Sequence, residues 1–489
     1  MEKLRTQTSQ KASYLYKRFI NTIMLSDGTI IALSTPQGSG ALGVIRLSGS
    51  LALEKTQLYF TPKGNKKWED FQANNTYLGV FKKDNILIDE VLLTFFKGPH
   101  SYTGEDVIEL SCHGSPYIFQ RIISSYLEEG ILPAQAGEFT LRAYLNKKMD
   151  LSQAEAVSDL ISSESAEAHR IAMQQMRGGF SKGMEELRQK LIQFKALIEL
   201  ELDFSEEEVN FADKSQLESL LNELEKEIRA LKDSFAYGNV IKKGVPVAIA
   251  GKPNVGKSSL INALFNEEKA IVSPIAGTTR DSIEDTLIIE GVQFRFIDTA
   301  GLRQTEDAIE SIGVAKAKEK VTQARILLYL YDKTTSDSIL VDEIESLYHE
   351  KLKVLLIQNK VDLERNGYDK DFIRKLQQQL SSKIENISLG ISTKEIDTLK
   401  PLKKKLIQTV QSLGNNNGLI VNNTRHYHAL GEALKAIENV KKGIRSDLTG
   451  DLLSIDLKEA IEHIGTITGV IDTDQDVLGT IFSQFCIGK

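Results

Sequence analysis

The sequence predicts a multidomain chain: an α+β N-terminal domain, an all-α helical domain, and an α/β domain inserted into the helical one. Three observations predict it. Short β-like runs broken by Gly/Pro turns fill residues 24–150. Helical apolar spacing appears in two separate stretches. Between those stretches strands and helices alternate, the pattern of a doubly wound parallel sheet.

Residues 1–23 carry five basic residues (Lys3, Arg5, Lys11, Lys17, Arg18) and one acid, Glu2, with no apolar core. They read as a disordered extension, with Met24 as an alternative start and an organelle transit peptide as the competing reading. From 24 to 150 the runs TIIAL, LGVIRL, NILIDEVLLTFF and DVIEL are interrupted by one helical segment, PYIFQRIISSYLEEG. From 151 to 240, SQAEAVSDLISSESAEAHRIAMQQM and the segments after it space apolar residues as long helices do. From 241 to 405 the chain reads strand GVPVAIAG, helix SSLINALF, then strands VQFRFID, ARILLYLYD and KVLLIQNK. From 406 to 489 helical spacing returns, as in YHALGEALKAIENVKKGI. Because helical stretches flank the α/β unit, that unit reads as an insertion.

Composition narrows the function classes. The 489 residues hold 60 Lys+Arg and 67 Asp+Glu, a net charge of −7, too acidic for a protein that coats nucleic acid over its whole surface. Hydrophobic residues make up 41% and charged residues 26%, ordinary for a soluble globular chain. Two cysteines, Cys112 and Cys486, exclude a disulfide framework and a Cys-rich zinc site and favour a reducing compartment. No apolar run reaches the roughly 18 residues a membrane span needs. The expected location is the cytoplasm.

The motifs carry the chemistry. Gly251-Lys252-Pro253-Asn254-Val255-Gly256-Lys257-Ser258 follows a strand and opens a helix, the context of a phosphate-binding P-loop. Its glycines let backbone N–H groups wrap phosphates, Lys257 neutralises them, and Ser258 is placed to ligate Mg²⁺, with Ser259 next to it. Asn359-Lys360-Val361-Asp362 follows the strand KVLLIQ. The Asp362 carboxylate can accept from guanine N1–H and its amino group, a donor pair adenine lacks, so GTP is expected rather than ATP. Ser392-Thr393-Lys394 falls where a loop supporting the base would lie. Asp298-Thr299-Ala300-Gly301 follows VQFRFI. Asp298 is read as holding the Mg²⁺ shell and the Gly301 amide as meeting the γ-phosphate. Within Ser273-Pro274-Ile275-Ala276-Gly277-Thr278-Thr279-Arg280, Thr279 is the second Mg²⁺ ligand. Leu302 stands where Ras-like enzymes place the glutamine that orients the attacking water. Another group must serve, and Arg280, Arg303, Glu306 and Glu310 are the local candidates.

With these motifs in view, the chain resembles the tRNA-modification GTPase family MnmE (TrmE) over 24–489, and the inserted unit reads as an α/β P-loop GTPase domain. The resemblance rests on GKPNVGKSSLINAL, IAGTTRD, DTAGLR with IESIG, and NKVD. It rests equally on SYTGEDVIELSCHG, GEFTLRAYLNKKMDLSQAEAV and the terminal Phe485-Cys486-Ile487-Gly488-Lys489. It implies a K⁺ ion held by Asn254, Ser273, Ile275 and Thr278, and a water-orienting glutamate at Glu310. It also implies a homodimer whose GTPase domains pair across the nucleotides. For the N-terminal domain it implies folate binding and dimerisation, with a 5-formyl-tetrahydrofolate-type carrier held by Arg46, Glu109, Lys148 and Lys489. A glutamylated pterin offers carboxylates to Arg and Lys and ring nitrogens to a carboxylate, so the residue types fit. Cys486 is either a nucleophile or a small residue in a docking tail. The family acts with a flavin-containing MnmG-type partner (FAD on that partner, not on this chain) on the wobble uridine, position 34, of tRNAs. Lys242-Lys243, Lys403-Lys404-Lys405 and Lys441-Lys442 read as solvated faces, with tRNA phosphates as the alternative. The competing function is a ribosome-assembly GTPase of the Era/Der type, which has neither this N-terminal domain nor this tail. A P-loop kinase using ATP fails on Asn359 and Asp362.

Overall fold

Alternating burial marks the long strands of the first sheet, and continuous burial marks two strands of the second. The structure, a computed structural model, describes residues 28–64, 66–203, 214–268, 285–297, 321–332, 337–363, 387–414, 418–446, 448–470, 478, 481–482 and 485–488. The residues fall into two compact units. One lies within Met1–Ser158, Gln175–Arg188 and Glu462–Lys489, the other within Asp159–Gln174 and Gln189–Ile461. The expected extension 1–23 lies outside the described residues.

The first unit opens with β1 (Ile30–Leu33), β2 (Leu42–Ser48), α1 (Ala52–Gln57) and β3 (Phe60–Pro62). Next come β4 (Asn75–Lys83), β5 (Ile86–Phe96), β6 (Val107–His113), α2 (Pro116–Glu128), β7 (Leu132–Pro133) and α3 (Glu138–Leu145). The sheet order is β3-β4-β5-β6-β2-β1-β7, with only the β1–β7 pair parallel. β5 buries every second residue over its last eight positions, and β2 does so up to Leu47, because one face packs on α2 and the other does not. Phe119, Ile122 and Tyr126 of α2 share a core with Ile45, Leu47, Leu93, Phe95 and Leu110. Pro116 sits in the first turn of α2, where its missing N–H costs nothing. Asp84 and Asn85, both at positive φ (50° and 62°), form the two-residue turn between β4 and β5.

α4 (Leu151–Ile161) begins in this unit, and its Leu151 and Ala154 pack with Leu478, Phe482 and Phe485 from the chain's end. The terminal tail follows the same path. Ile487 bridges Ala136, and Ser34 Oγ donates to the Gly488 carbonyl at 2.9 Å. Gly488 has φ +97°, and a Cβ there would lie 2.2 Å from the Leu33 carbonyl oxygen, so only glycine fits that approach.

The helices α5 (Ala166–Met176), α6 (Gly179–Asp203), α7 (Lys214–Asp233), α8 (Phe235–Lys243), α12 (Thr424–Arg445) and α13 (Gly450–Thr468) make up the helical part. In the second unit α7 and α12 run against each other, joined by Glu225 to Lys441 and Arg229 to Glu438. Between α8 and α12 comes β8 (Val245–Ala250), α9 (Lys257–Glu268), β9 (Asp285–Ile289), β10 (Val292–Phe296) and β11 (Ile326–Tyr331). α10 (Asp337–Leu347), β12 (Lys353–Gln358), β13 (Ile387–Gly390) and α11 (Lys400–Gln411) complete the insert. The six strands lie in the order β13-β12-β11-β8-β10-β9. β11 buries all its residues and β12 all but its first, the mark of strands covered on both faces.

One feature differs from the parallel reading. β9 is antiparallel to β10, joined through Glu290 and Gly291 at φ 46° and 80°. A two-residue turn with both φ positive matches the right-handed twist of a hairpin, so the edge of the sheet is a hairpin rather than a crossover. Entry to and exit from the insert touch: the Val421 amide donates to Ser234 Oγ at 3.0 Å, and a Cβ on Gly238 would lie 2.2 Å from the Val421 carbonyl oxygen. Adjacent entry and exit are what an inserted domain needs. Among the described residues no helix is long and apolar enough to cross a membrane.

Candidate nucleotide site and N-terminal polar cluster

β8 buries Val245, Val247 and Ala248 and ends in the glycine-rich turn, and α9 begins at Lys257. Gly251, Asn254 and Gly256 all take positive φ (138°, 61°, 98°). This sequence of turns curls backbone amides into a concavity at a helix N-terminus, an arrangement that attracts anions. The glycines are needed for space as well as for φ. A Cβ on Gly251 would lie 2.1 Å from the Leu330 carbonyl oxygen of β11, and one on Gly256 would lie 2.1 Å from Asn359 Nδ2. Lys257 Nζ folds over the turn and donates to the Gly251 and Lys252 carbonyls, each at 2.7 Å. Burial lowers its pKa, opposed by the charge of Glu343. An arriving phosphate would favour the charged form and raise it again.

The segment expected to read the base, Asn359–Asp362, is bonded directly to this turn. Asn359 Nδ2 donates to the Val255 carbonyl at 2.7 Å, and the Asn359 amide donates to Tyr331 at 2.9 Å. Asn359 is 1% exposed, and its Oδ1 has no partner among the described residues. A buried orphan acceptor costs stability unless a ligand or water meets it. Lys360, at φ 64°, donates to Asp332 Oδ2 at 2.9 Å, and Asp362 is exposed. The Ile391 amide donates to the Gln358 carbonyl at 2.8 Å, and the Val361 amide to the Ile391 carbonyl at 3.3 Å. That pairing carries Ser392-Thr393-Lys394 alongside the motif. Thr398 Oγ1 pins the buried Ser392, accepting from its amide and donating to its carbonyl, both at 2.9 Å. Three expected segments, 251–259, 359–362 and 392–394, are therefore brought to one end of the sheet. The expected residues Ser273, Pro274, Ile275, Ala276, Gly277, Thr278, Thr279, Arg280, Asp298, Thr299, Ala300, Gly301 and Glu310 lie outside the described residues, as do Arg303 and Glu306.

In the N-terminal unit, Arg46 and Glu109 face each other across β2 and β6. Arg46 Nε donates to Glu109 Oε1 at 2.8 Å, and a second guanidinium nitrogen lies 2.7 Å from the same oxygen. The guanidinium sits 5.5 Å from the ring centroids of both Tyr102 and Phe139, within cation–π range. Sequence reasoning missed these two rings, though both lie in the motifs SYTGED and GEFTLR. Next to them Arg142 donates to Glu105 (3.1 and 3.2 Å), to Glu138 (2.9 Å) and to the Gly28 carbonyl (2.9 Å). Lys148 Nζ donates to the Pro99 carbonyl at 2.8 Å. The thiol-bearing Cys486 is exposed, and its carbonyl accepts from the Gly137 amide at 3.4 Å. Lys489 lies outside the described residues.

A family model described as "GTP-binding protein TrmE N-terminus" matches residues 29–148, and one described as "MnmE helical domain" matches residues 151–486. The chain belongs to the MnmE family. Curated MnmE relatives agree along nearly its whole length. A protein named "tRNA modification GTPase MnmE" from Flavobacterium johnsoniae is 51% identical over 472 residues, covering 95% of this chain and 100% of the relative. Relatives of the same name from Christiangramia forsetii (49%, covering 95% and 100%) and Cytophaga hutchinsonii (47%, covering 96% and 99%) match similarly. The basic clusters of this MnmE chain are partly neutralised: Lys242 pairs with Asp159 at 2.7 Å, and Lys441 with Glu225. That favours the solvated-face reading over phosphate contact for these two lysines.

Proposed function

We propose that the chain is a K⁺-dependent GTP hydrolase that acts in tRNA modification. With a flavin-containing MnmG-type partner it adds an aminomethyl or carboxymethylaminomethyl group to C5 of the wobble uridine, using a 5-formyl-tetrahydrofolate-type carrier. It works as a cytoplasmic homodimer. Its domains are the N-terminal folate and dimer domain (24–150), a helical domain (151–240 and 406–489) and the GTPase domain (241–405). One observation supports the nucleotide assignment above the others: the hydrogen bond from Asn359 to the Val255 carbonyl ties the Asn359–Asp362 segment to the glycine-rich turn. The Era/Der reading has no counterpart for the N-terminal match at 29–148 or for the helical-domain match spanning 151–486.

The residues fit the groups they would hold. The concavity at 251–257 admits no Cβ at Gly251 or Gly256, as close backbone approach to phosphates requires. Ser258 and Thr279 would ligate Mg²⁺, which supplies charge neutralisation between phosphate oxygens. Asn254, Ser273, Ile275 and Thr278 would hold K⁺, which supplies positive charge where negative charge develops. Lys257 orients the phosphates, Arg280 adds a positive charge near them, and Glu310 orients the attacking water. Hydrolysis then drives rearrangement of the subunits rather than the chemistry on the base. In the N-terminal unit Arg46 is held by two aromatic rings and by Glu109, so a pterin or its glutamyl tail would meet a fixed charge. Lys148, Lys489 and the exposed thiol of Cys486, a candidate nucleophile, complete that site.

Turnover of GTP in KCl is expected to exceed that in NaCl by at least about tenfold, in line with the loss of one transition-state charge contact. Glu310→Ala should keep nucleotide affinity and lose turnover. Equal rates in the two salts, or lost affinity in the variant, would remove these assignments.

A further inference from the structure

The tip of the β9–β10 hairpin is gripped by a helix from outside the sheet domain. The first amides of α5 have no partner within the helix. The Ala168 amide finds Ser165 Oγ at 3.3 Å, whereas the Glu167 amide donates to the Gly291 carbonyl at the hairpin tip, 3.0 Å away. Next to it Gln293 Nε2 donates to Glu164 Oε2 at 2.7 Å. One turn along, Ile171 is 3% exposed and belongs to the same core cluster as Leu287, Ile289, Val292 and Phe294. The tip is shaped for this contact, since a Cβ on Gly291 would lie 3.1 Å from Ala166 Cβ.

The same residue grips a second element. Tyr237 Oη donates to Glu167 Oε1 at 2.9 Å, and Tyr237 lies on α8, which leads through Gly244 into β8 and the phosphate-type turn. Arg170 locks the carboxylate with two bonds, 2.7 and 2.9 Å, and these, with help from Tyr237, hold Glu167 below the usual carboxylate range. The start of the segment is also anchored. Asp159 pairs with Lys242 of α8 at 2.7 Å and accepts from Asn422, in the segment leading into α12, at 3.0 Å. In sequence the hairpin joins the two motif segments, Thr278-Thr279 before it and Asp298–Gly301 after it.

We propose that Glu167 is a positioning residue that couples the nucleotide site to the helical domain, its amide holding the hairpin between the two motif segments and its carboxylate holding the helix that feeds the phosphate turn. The inference rests on the GTPase reading above. A nucleotide-dependent shift at either end of the hairpin reaches its tip through the paired strands. Glu167 passes that shift to α5 and α8 only while both of its contacts persist.

The test uses the full chain. Amide hydrogen exchange at residues 166–169 is compared between the GDP-bound form and the form bound to a non-hydrolysable GTP analogue. In the native chain exchange there is expected to differ by about tenfold between the two states. Tyr237→Phe, which removes one hydroxyl, and Glu167→Ala should both abolish that difference while nucleotide affinity stays within about twofold. Glu167→Gln keeps an acceptor for Tyr237 and should retain most of the response. Amides 166–169 that ignore the nucleotide in the native chain, or respond equally in Tyr237→Phe and Glu167→Ala, overturn the proposal. A parallel titration showing no guanine nucleotide bound to the native chain refutes the GTPase reading itself, and the coupling falls with it.

Discussion

Gly256→Ala is expected to lose GTP affinity by roughly 10³-fold while the chain stays folded. Two independent penalties combine. A side chain at φ +98° is strained, at a cost of about 1–2 kcal/mol. Its Cβ would also lie 2.1 Å from Asn359 Nδ2, so the bond from Asn359 to the Val255 carbonyl must break. Leaving both groups buried without partners costs about 1–3 kcal/mol more. The turn escapes both by opening, and an open turn cannot present its amides to phosphate. The hydrophobic positions around it, such as Val247, Leu260 and Leu330, are untouched. Titration with a fluorescent GTP analogue measures the loss, and far-ultraviolet circular dichroism checks the fold. Affinity within about threefold of native would show that this geometry does not hold the nucleotide.

Asp362→Asn should weaken GTP by about 10²–10³-fold and leave the fold unchanged. The carboxylate offers two acceptor oxygens to the N1–H and amino donors of guanine. Asparagine turns one acceptor into a donor, so a donor faces a donor in the bound state. Asp362 is exposed in the structure, so its replacement disturbs no packing. The lesion should be specific in sign: xanthosine triphosphate, whose C2 carbonyl accepts, should bind the variant more tightly than GTP does. A competition assay with the two nucleotides reads this directly. An unchanged preference for GTP would take the base-reading role away from Asp362.

What the sequence made legible was local. β11 and β12 are apolar almost without interruption, and that run length marks strands covered on both faces. The phosphate-type turn was legible because its glycines, strand and helix are contiguous. The β9–β10 hairpin is not, because DTLII is a short run beside a parallel pattern and its turn signal is only Glu290-Gly291. β4 is hard to read because Asn75–Lys83 alternates without the strong apolar run of β5. At the candidate sites, Arg46 and Glu109 were both expected. Their mutual bond depends on the register of β2 against β6, which no local pattern encodes. For the same reason the clasp of Arg46 by Tyr102 and Phe139, and the bond from Asn359 to the phosphate-type turn, emerge only from residues far apart in sequence. Asp159 and Glu225, which neutralise Lys242 and Lys441, are equally remote.

If GTP held by this chain serves modification of the wobble uridine, tRNA from cells lacking the chain should show it. Nucleoside analysis compares those cells with the same cells complemented by the native chain or by Gly256→Ala. Position 34 should keep an unsubstituted C5 in the deletion and in the Gly256→Ala strain, and regain its modification with the native chain. Full C5 modification in cells without the chain would contradict that role.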